Sequence, residues 1–217
     1  MRSYDYHVKF ISDLEKANRI AEVLHDQFRN RTGFFKNYQM PEYDRPRGLS
    51  KESNAYALYL TYVISIDFQT DAVNLWNRSK EFFERKPHFF DPEVIVNADD
   101  STLRHIARSL GARYPNGAAK GWKKISQILL DKYNGDPRNI TQRVMSLAEV
   151  RKRLSEFPYL RGKKLNNFYI RAMGENGLFK IEDFHNLSVA VDIQVARITF
   201  YTGVLKAVSS FYGCIHS

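Results

Sequence analysis

The sequence predicts an all-α protein. Apolar residues recur at helical spacing along most of the chain, capping residues and Gly or Pro breaks punctuate those patterns, and strand-like stretches are few. Val8–Ile11 and Glu93–Val96 are the only short strand candidates, and no hairpin turn follows either. Ser12-Asp13 can start a helix on which Leu14, Ala17, Ile20, Ala21, Leu24 and Phe28 share a face. Residues 30–49, rich in Gly, Pro, Asn and Arg, read as a long basic loop. Ser50–Ser53 opens a second helix through AYALYLTYVIS, and Thr70 or Asp71 caps a third that ends before Pro87. Pro92 marks another break. Asp99-Asp100-Ser101 starts a helix carrying Leu103, Ile106, Ala107 and Leu110, which Gly111 ends. Asn116 can cap the next, which Asn134-Gly135 ends. Ser146 caps a helix with Leu147, Val150 and Leu154 on one face. Pro158 and Gly162 interrupt the pattern, and Gly162 opens a helix over 163–173. Asp192 opens a helix over 193–205, and a last amphipathic piece ends near Tyr212. The expected architecture is nine or ten helices in a single unit spanning 1–217, with lobes at 50–145 and at 1–49 plus 146–217 around a cleft.

Composition narrows the class. A chain of 217 residues with 43% hydrophobic and 26% charged residues has enough apolar material for a folded core and is not a disordered polymer. The 33 Lys and Arg against 24 Asp and Glu give a net charge of +9, which favours a polyanionic partner. The single cysteine, Cys214, excludes an intrachain disulfide framework and a four-cysteine iron–sulfur cluster, and points to a reducing, intracellular setting. The opening MRSYDYHVKF lacks the apolar core of a signal peptide, and Tyr56–Phe68 is too short to span a membrane. The histidines are scattered without ligand spacing, so neither a metal nor another cofactor is expected.

Two local features stand out. Between Leu154 and Met173 a helix stops at Pro158, turns through Tyr159-Leu-Arg-Gly162 and restarts at Lys163. The first amides of the restarted helix lack partners and favour an anion such as a DNA phosphate, and Arg161, Lys163 and Lys164 add charge there. The second feature is Asp192, alone in the apolar run Ser188-Val-Ala-Val-Asp-Ile-Gln-Val-Ala196. A carboxylate in such a run is costly unless it caps a helix, pairs with a cation or does chemistry. Solvated lysines on a plain helical connection and a simple helix cap remain the structural alternatives for these residues.

Together these residues resemble a known family. Leu160-Arg-Gly-Lys-Lys164 followed by Leu-Asn-Asn-Phe168, and then Val191-Asp-Ile-Gln-Val-Ala-Arg197, resemble the hairpin and acidic helix of the helix-hairpin-helix DNA glycosylases. Those proteins read L-P-G-V-G-x-K-T-A and V-D-x-H-V-x-R at the two places. Val63–Ala72 resembles the family's I-L-S-x-Q-T-S-D-A segment, so the likeness covers roughly 50–205. The tail Thr199–Leu205 and the lysine-to-aspartate gap are closer to the archaeal 8-oxoguanine glycosylase/lyase branch than to the endonuclease III branch. The first hairpin glycine is replaced by Leu160 or Tyr159, and the histidine after the aspartate is Gln194. Matching Gly162 to the second glycine makes Lys164 the family's catalytic lysine; matching Phe157-Pro158 to Leu-Pro makes it Lys163. The first register is preferred, because Asn167-Phe-Tyr-Ile170 then follows as the family's apolar helix does.

What the resemblance implies is a two-lobed helical DNA glycosylase fold, with a helix-hairpin-helix motif at about 147–173. The protein would act as a monomer on double-stranded DNA containing a damaged base, without membrane attachment. It would flip the nucleotide into a pocket, where the Lys164 amine attacks C1′ while Asp192 stabilises the developing positive charge. The amine must be neutral at attack, and the neighbouring cations Lys163 and Arg161 favour that form. Removal of an oxidised purine such as 8-oxoguanine, with strand nicking by the same lysine, is the expected activity. Arg161, Gly162 and Lys163 would grip a phosphate. Phe68, Trp76 and Trp122 are candidates to stack on the base, and Gln69 to read its edge. Arg45, Arg47 and the cluster Lys120, Lys123 and Lys124 are further candidates for phosphate contact. Two other readings are a hydrolase of a modified nucleoside or nucleotide, similar to queuosine-salvage enzymes, and a non-catalytic DNA-binding module.

Overall fold

The structure, a computed structural model, describes residues 7–191 and 193–210. It is mostly helical, as the sequence predicts, and forms two compact units: 39–190, and the described ends 7–38 with 191 and 193–210.

The larger unit is built around α2 (Asn54–Ile66), in which every residue from Tyr56 to Ile66 is buried. A helix apolar on all sides is stable only when surrounded. Ser53 caps it by accepting from the Tyr56 amide at 3.1 Å. Around it stand α3 (Ala72–Arg85), α4 (Pro92–Asn97), α5 (Asp100–Leu110), α6 (Pro115–Tyr133), α7 (Leu147–Leu154) and α8 (Lys163–Glu175). The caps fall largely where the sequence put them. Asp71, Asp99 and Ser146 each accept from a backbone amide of the first turn, and Ser146 with Glu149 forms a full capping box. Gly111 and Asn134 end α5 and α6 in the left-handed conformation.

Buried hydroxyls tie α2 to its neighbours. Tyr62 Oη lies 2.7 Å from Ser126 Oγ on α6, and Thr61 Oγ1 lies 2.8 Å from Tyr169 Oη on α8. Trp122, fully buried on α6, donates to the Tyr62 carbonyl and to Ser65 Oγ, both at 3.1 Å. Its ring packs edge-on against Phe89 and Phe90. Residues 39–49 and 146–190, which the sequence groups with the termini, thus share a unit with 50–145. Arg171 on α8 reinforces this by pairing with the buried Glu42 and donating to Tyr43 Oη at 2.9 Å.

The smaller unit holds α1 (Leu14–Asn30), α9 (Ile193–Tyr201) and a two-stranded antiparallel sheet of β1 (His7–Ser12) and β2 (Leu205–Ser210). Asp13 caps α1, accepting from the Lys16 amide at 2.9 Å.

Four elements depart from expectation. Residues 205–210 form β2 rather than helix; α9 stops at Tyr201, and Gly203 turns the chain with φ +71° to pair with β1. The strand partner is distant in sequence, so no hairpin signal announces it. Glu93–Val96 lies in α4, because Asp91 caps the segment and Pro92 fits the first helical turn. Pro115 takes the same position in α6, so the cap is Tyr114 and not Asn116. Residues 30–49 hold two 3₁₀ turns, Gly33–Phe35 and Pro41–Tyr43, rather than open loop throughout. Among the described residues no helix is long and apolar enough to cross a membrane.

Urea denaturation tests this anatomy. Trp122→Ala is expected to lower the unfolding free energy by about 3–5 kcal/mol, and Ser146→Ala by about 1 kcal/mol.

Candidate active site

The hairpin predicted from Leu154–Met173 is present between α7 and α8. Its turn is closed by backbone hydrogen bonds from Arg161 N to Phe157 O at 3.2 Å and from Gly162 N to Tyr159 O at 3.1 Å. The buried Asn166 side chain donates to the Leu160 carbonyl at 2.9 Å, locking the turn to α8. Gly162 is the N-cap of α8 and supplies no side-chain acceptor, so the helix opens without a side-chain cap. Lys163 and Lys164 are its first two residues, and both are exposed.

Tyr159 shapes this turn. It has φ +64°, a conformation strained for an aromatic residue and natural for glycine. In the Phe157-Pro158 register it stands where the family pattern has its first hairpin glycine. Its ring lies on α6 against Gly117 and Gly121. A Cβ at Gly117 would sit 2.5 Å from Tyr159 Oη, and one at Gly121 would sit 2.4 Å from Tyr159 Cε2. The two glycines, one helical turn apart, are what admit the ring.

Beside the hairpin lies a cavity of about 880 Å³, lined by Phe68, Tyr114, Gly117, Lys120, Gly121, Lys124, Pro158, Tyr159, Arg161, Gly162, Lys163, Lys164 and Leu165. Five of these side chains are cationic and none is acidic. The aromatic wall is Phe68, tilted at 32° to Tyr114 with centroids 6.3 Å apart, together with Tyr159. A smaller cavity of about 380 Å³ on the hairpin is lined by Arg151, Ser155, Arg161, Lys163, Asn166, Asn167 and Ser188. Both cavities suit an anionic ligand, and the larger one also offers flat apolar surface to an aromatic one.

The predicted site residues divide accordingly. Lys164, Lys163, Arg161, Gly162 and Phe68 come together at the larger cavity. Gln69 is adjacent and exposed, with φ +52°, and its Oε1 accepts from Tyr114 Oη at 3.1 Å. Trp76 and Trp122 are placed elsewhere: both are buried, and neither lines this cavity. Their indole size and their N–H donors are used within the core. Asp192 lies outside the described residues. Among the phosphate candidates, Lys120 and Lys124 line the cavity, and the Arg45 guanidinium stands over the Tyr56 ring at 5.8 Å. Lys123 pairs with Asp100 at 2.7 Å.

Sequence reading missed Tyr114, Tyr159 and Asp67. Gly117 and Gly121, four residues apart in a helix, were the available signal for an aromatic seated on α6. Asp67, between Ile66 and Phe68, carried the same signal of an isolated acid that singled out Asp192. It follows α2 directly and is half-buried, and its Oδ2 accepts from Trp76 Nε1 at 3.0 Å. Burial raises its pKa above the ordinary 3.8, while the Trp76 hydrogen bond and the Lys164 charge oppose the rise.

No family model matches this chain, and no curated protein matches it. Among solved structures, a non-covalent Endonuclease III–DNA complex matches with a TM-score of 0.52 and 18% sequence identity. The fold is the helical fold of Endonuclease III. The match covers 84% of this chain and 66% of that one, so the chain spans just under two thirds of that structure's length.

Two outcomes are expected from this geometry. Gly121→Ala destabilises the protein by about 1–3 kcal/mol, but becomes neutral or favourable in a Tyr159→Ala background, where no ring opposes the new methyl. For Asp67, a raised folded pKa means that the native state binds more protons than the unfolded chain, so stability falls as pH rises above 3.8. Urea titrations across that range should show a shallower decline in Asp67→Asn than in the wild type.

Proposed function

We propose that this protein is a DNA N-glycosylase that removes a damaged base from double-stranded DNA, with Lys164 as nucleophile. The observation that carries the reading is the placement of Lys163 and Lys164 on the first turn of α8, at the mouth of a cationic cavity with an aromatic wall. The matching Endonuclease III structure is a DNA complex, which supports the same class of partner.

In this reading Arg161, Lys163, Lys120 and Lys124 hold phosphates on either side of the lesion, and the uncapped start of α8 favours one of them. The flipped base stacks on Phe68 and Tyr114, with Gln69 beside them at the rim. The neutral Lys164 amine attacks C1′, the C1′–N bond breaks, and the base leaves with the bonding electrons and takes up a proton. The amine loses its own protons as the sugar ring opens, giving an imine between Nζ and C1′. Loss of a proton from C2′ then expels the 3′-phosphate and nicks the strand. By family resemblance, Asp192 stabilises the positive charge that develops on the sugar, and an oxidised purine such as 8-oxoguanine is the substrate.

Borohydride trapping on an 8-oxoguanine duplex tests this. The wild type and Lys163→Gln form a covalent adduct, and Lys164→Gln does not. An adduct lost only in Lys163→Gln would move the nucleophile one residue back. Base release without trapping would mean a monofunctional enzyme. No release from any damaged duplex would remove the glycosylase reading and leave a binding module or a nucleoside hydrolase. In a salt titration of duplex affinity, Lys120→Gln and Lys124→Gln should each reduce the slope of log K against log salt by about 1.

A further inference from the structure

We infer that Tyr159 is a specificity-determining residue: its ring is the stop that fixes how large a base the cavity accepts with the sugar still in reach of Lys164. The inference rests on the glycosylase reading of this site.

The backbone singles out the position. Tyr159 holds φ +64°, where glycine is natural and an aromatic residue is strained, so the turn by itself would be better served by glycine. A residue held against its backbone preference points to a use for its side chain. Tyr159 is not a core residue: it is 36% exposed, and it lines the larger cavity.

The ring lies on bare backbone. Its hydroxyl sits over Gly117 and its Cε2 edge over Gly121, where any Cβ would collide with it. Both glycines also line the larger cavity, so the ring covers part of a seat on α6 that would otherwise be open to a planar ligand. Phe68, Tyr114 and Tyr159 line a second recess as well, of about 20 Å³, with Ile66, Ala112 and Ala118 in its walls. That is space for roughly one water. The three rings stand between the cavity and this recess, and a base entering from the cavity goes no farther than they allow.

The stop is tied to the nucleophile. Tyr159 and Lys164 flank one turn, in which Gly162 N donates to the Tyr159 carbonyl at 3.1 Å and Asn166 of α8 donates to the Leu160 carbonyl at 2.9 Å. The start of α8 therefore keeps a set distance from the ring. A base that fits against the ring brings C1′ to the lysine. A larger base meets the ring early and holds C1′ short of it.

Single-turnover release of 8-oxoguanine and of ethenoguanine, a guanine with a fused third ring, from otherwise identical duplexes tests this. The wild type should release 8-oxoguanine faster by about tenfold or more, since one methylene too many in a fitted pocket already changes rates by about 10–200-fold. Tyr159→Gly suits the backbone and uncovers the seat, and should cut that preference about tenfold. Tyr159→Phe keeps the ring and should keep the preference. Tyr159→Gly combined with Gly121→Leu refills the seat from α6 and should bring the preference back toward wild type, which a leucine on α6 would not do for a merely loosened hairpin. An unchanged preference in Tyr159→Gly overturns the inference. That is also the result for a ring that only braces the turn, because both rates then fall together. A wild type that releases ethenoguanine as fast as 8-oxoguanine overturns it too, and leaves the glycosylase reading standing. If the wild type releases neither base, that reading of the substrate fails, and the seat is probed by equilibrium dialysis at low salt with guanosine monophosphate and its etheno derivative. Tyr159→Gly should then raise the affinity of the larger nucleotide relative to the smaller about tenfold. An unchanged ratio, or binding of neither nucleotide by either protein, overturns the inference.

Discussion

The all-round apolar surface of α2 is the constraint from which the larger unit follows. From Tyr56 to Ile66 no face of this helix is fit for water, so other helices must enclose it. The enclosure is directed by polar atoms buried with it. The hydroxyls of Thr61 and Tyr62 and the Tyr62 carbonyl need partners, and find them in Tyr169, Ser126 and Trp122. These bonds set α6 and α8 against α2 at chosen registers. The candidate site is a consequence: the end of α2, the glycine face of α6 and the start of α8 open onto one cavity.

The cavity is arranged against local stability. Five cations line it, Tyr159 holds a backbone conformation better suited to glycine, and α8 begins without a side-chain cap. Asp67 adds a carboxylate at the wrong end of a helix. Each of these is unfavourable alone, and two have a packed neighbour: glycines lie under the Tyr159 ring, and the Trp76 indole donates to the Asp67 carboxylate. Strain held by a rigid surround is what a binding or catalytic site requires. Tyr159, with its positive φ, stands in the wall of the larger cavity.

Much of this was legible in the chain. The helices of the larger unit and most of their caps follow from short-range chemistry, since a cap satisfies amides within one turn of itself. The hairpin was readable from Pro158, Gly162 and the lysine pair. The tryptophans were not: indole rings serve a core and a base pocket with the same atoms, and only their burial distinguishes the two. The sheet was hidden for another reason, because Val8 pairs with Ser209 across nearly the whole chain.

The sequence by itself determined the helical class, the caps and breaks, the cationic hairpin and the isolated acids, because these rest on interactions between residues a few positions apart. The tertiary structure decided which aromatics face the cavity, which lysines share it, and that the acid after α2, Asp67, accepts from the Trp76 indole. Those outcomes depend on how α2, α3, α6 and α8 pack, and packing is settled by the mutual fit of side chains distant in sequence.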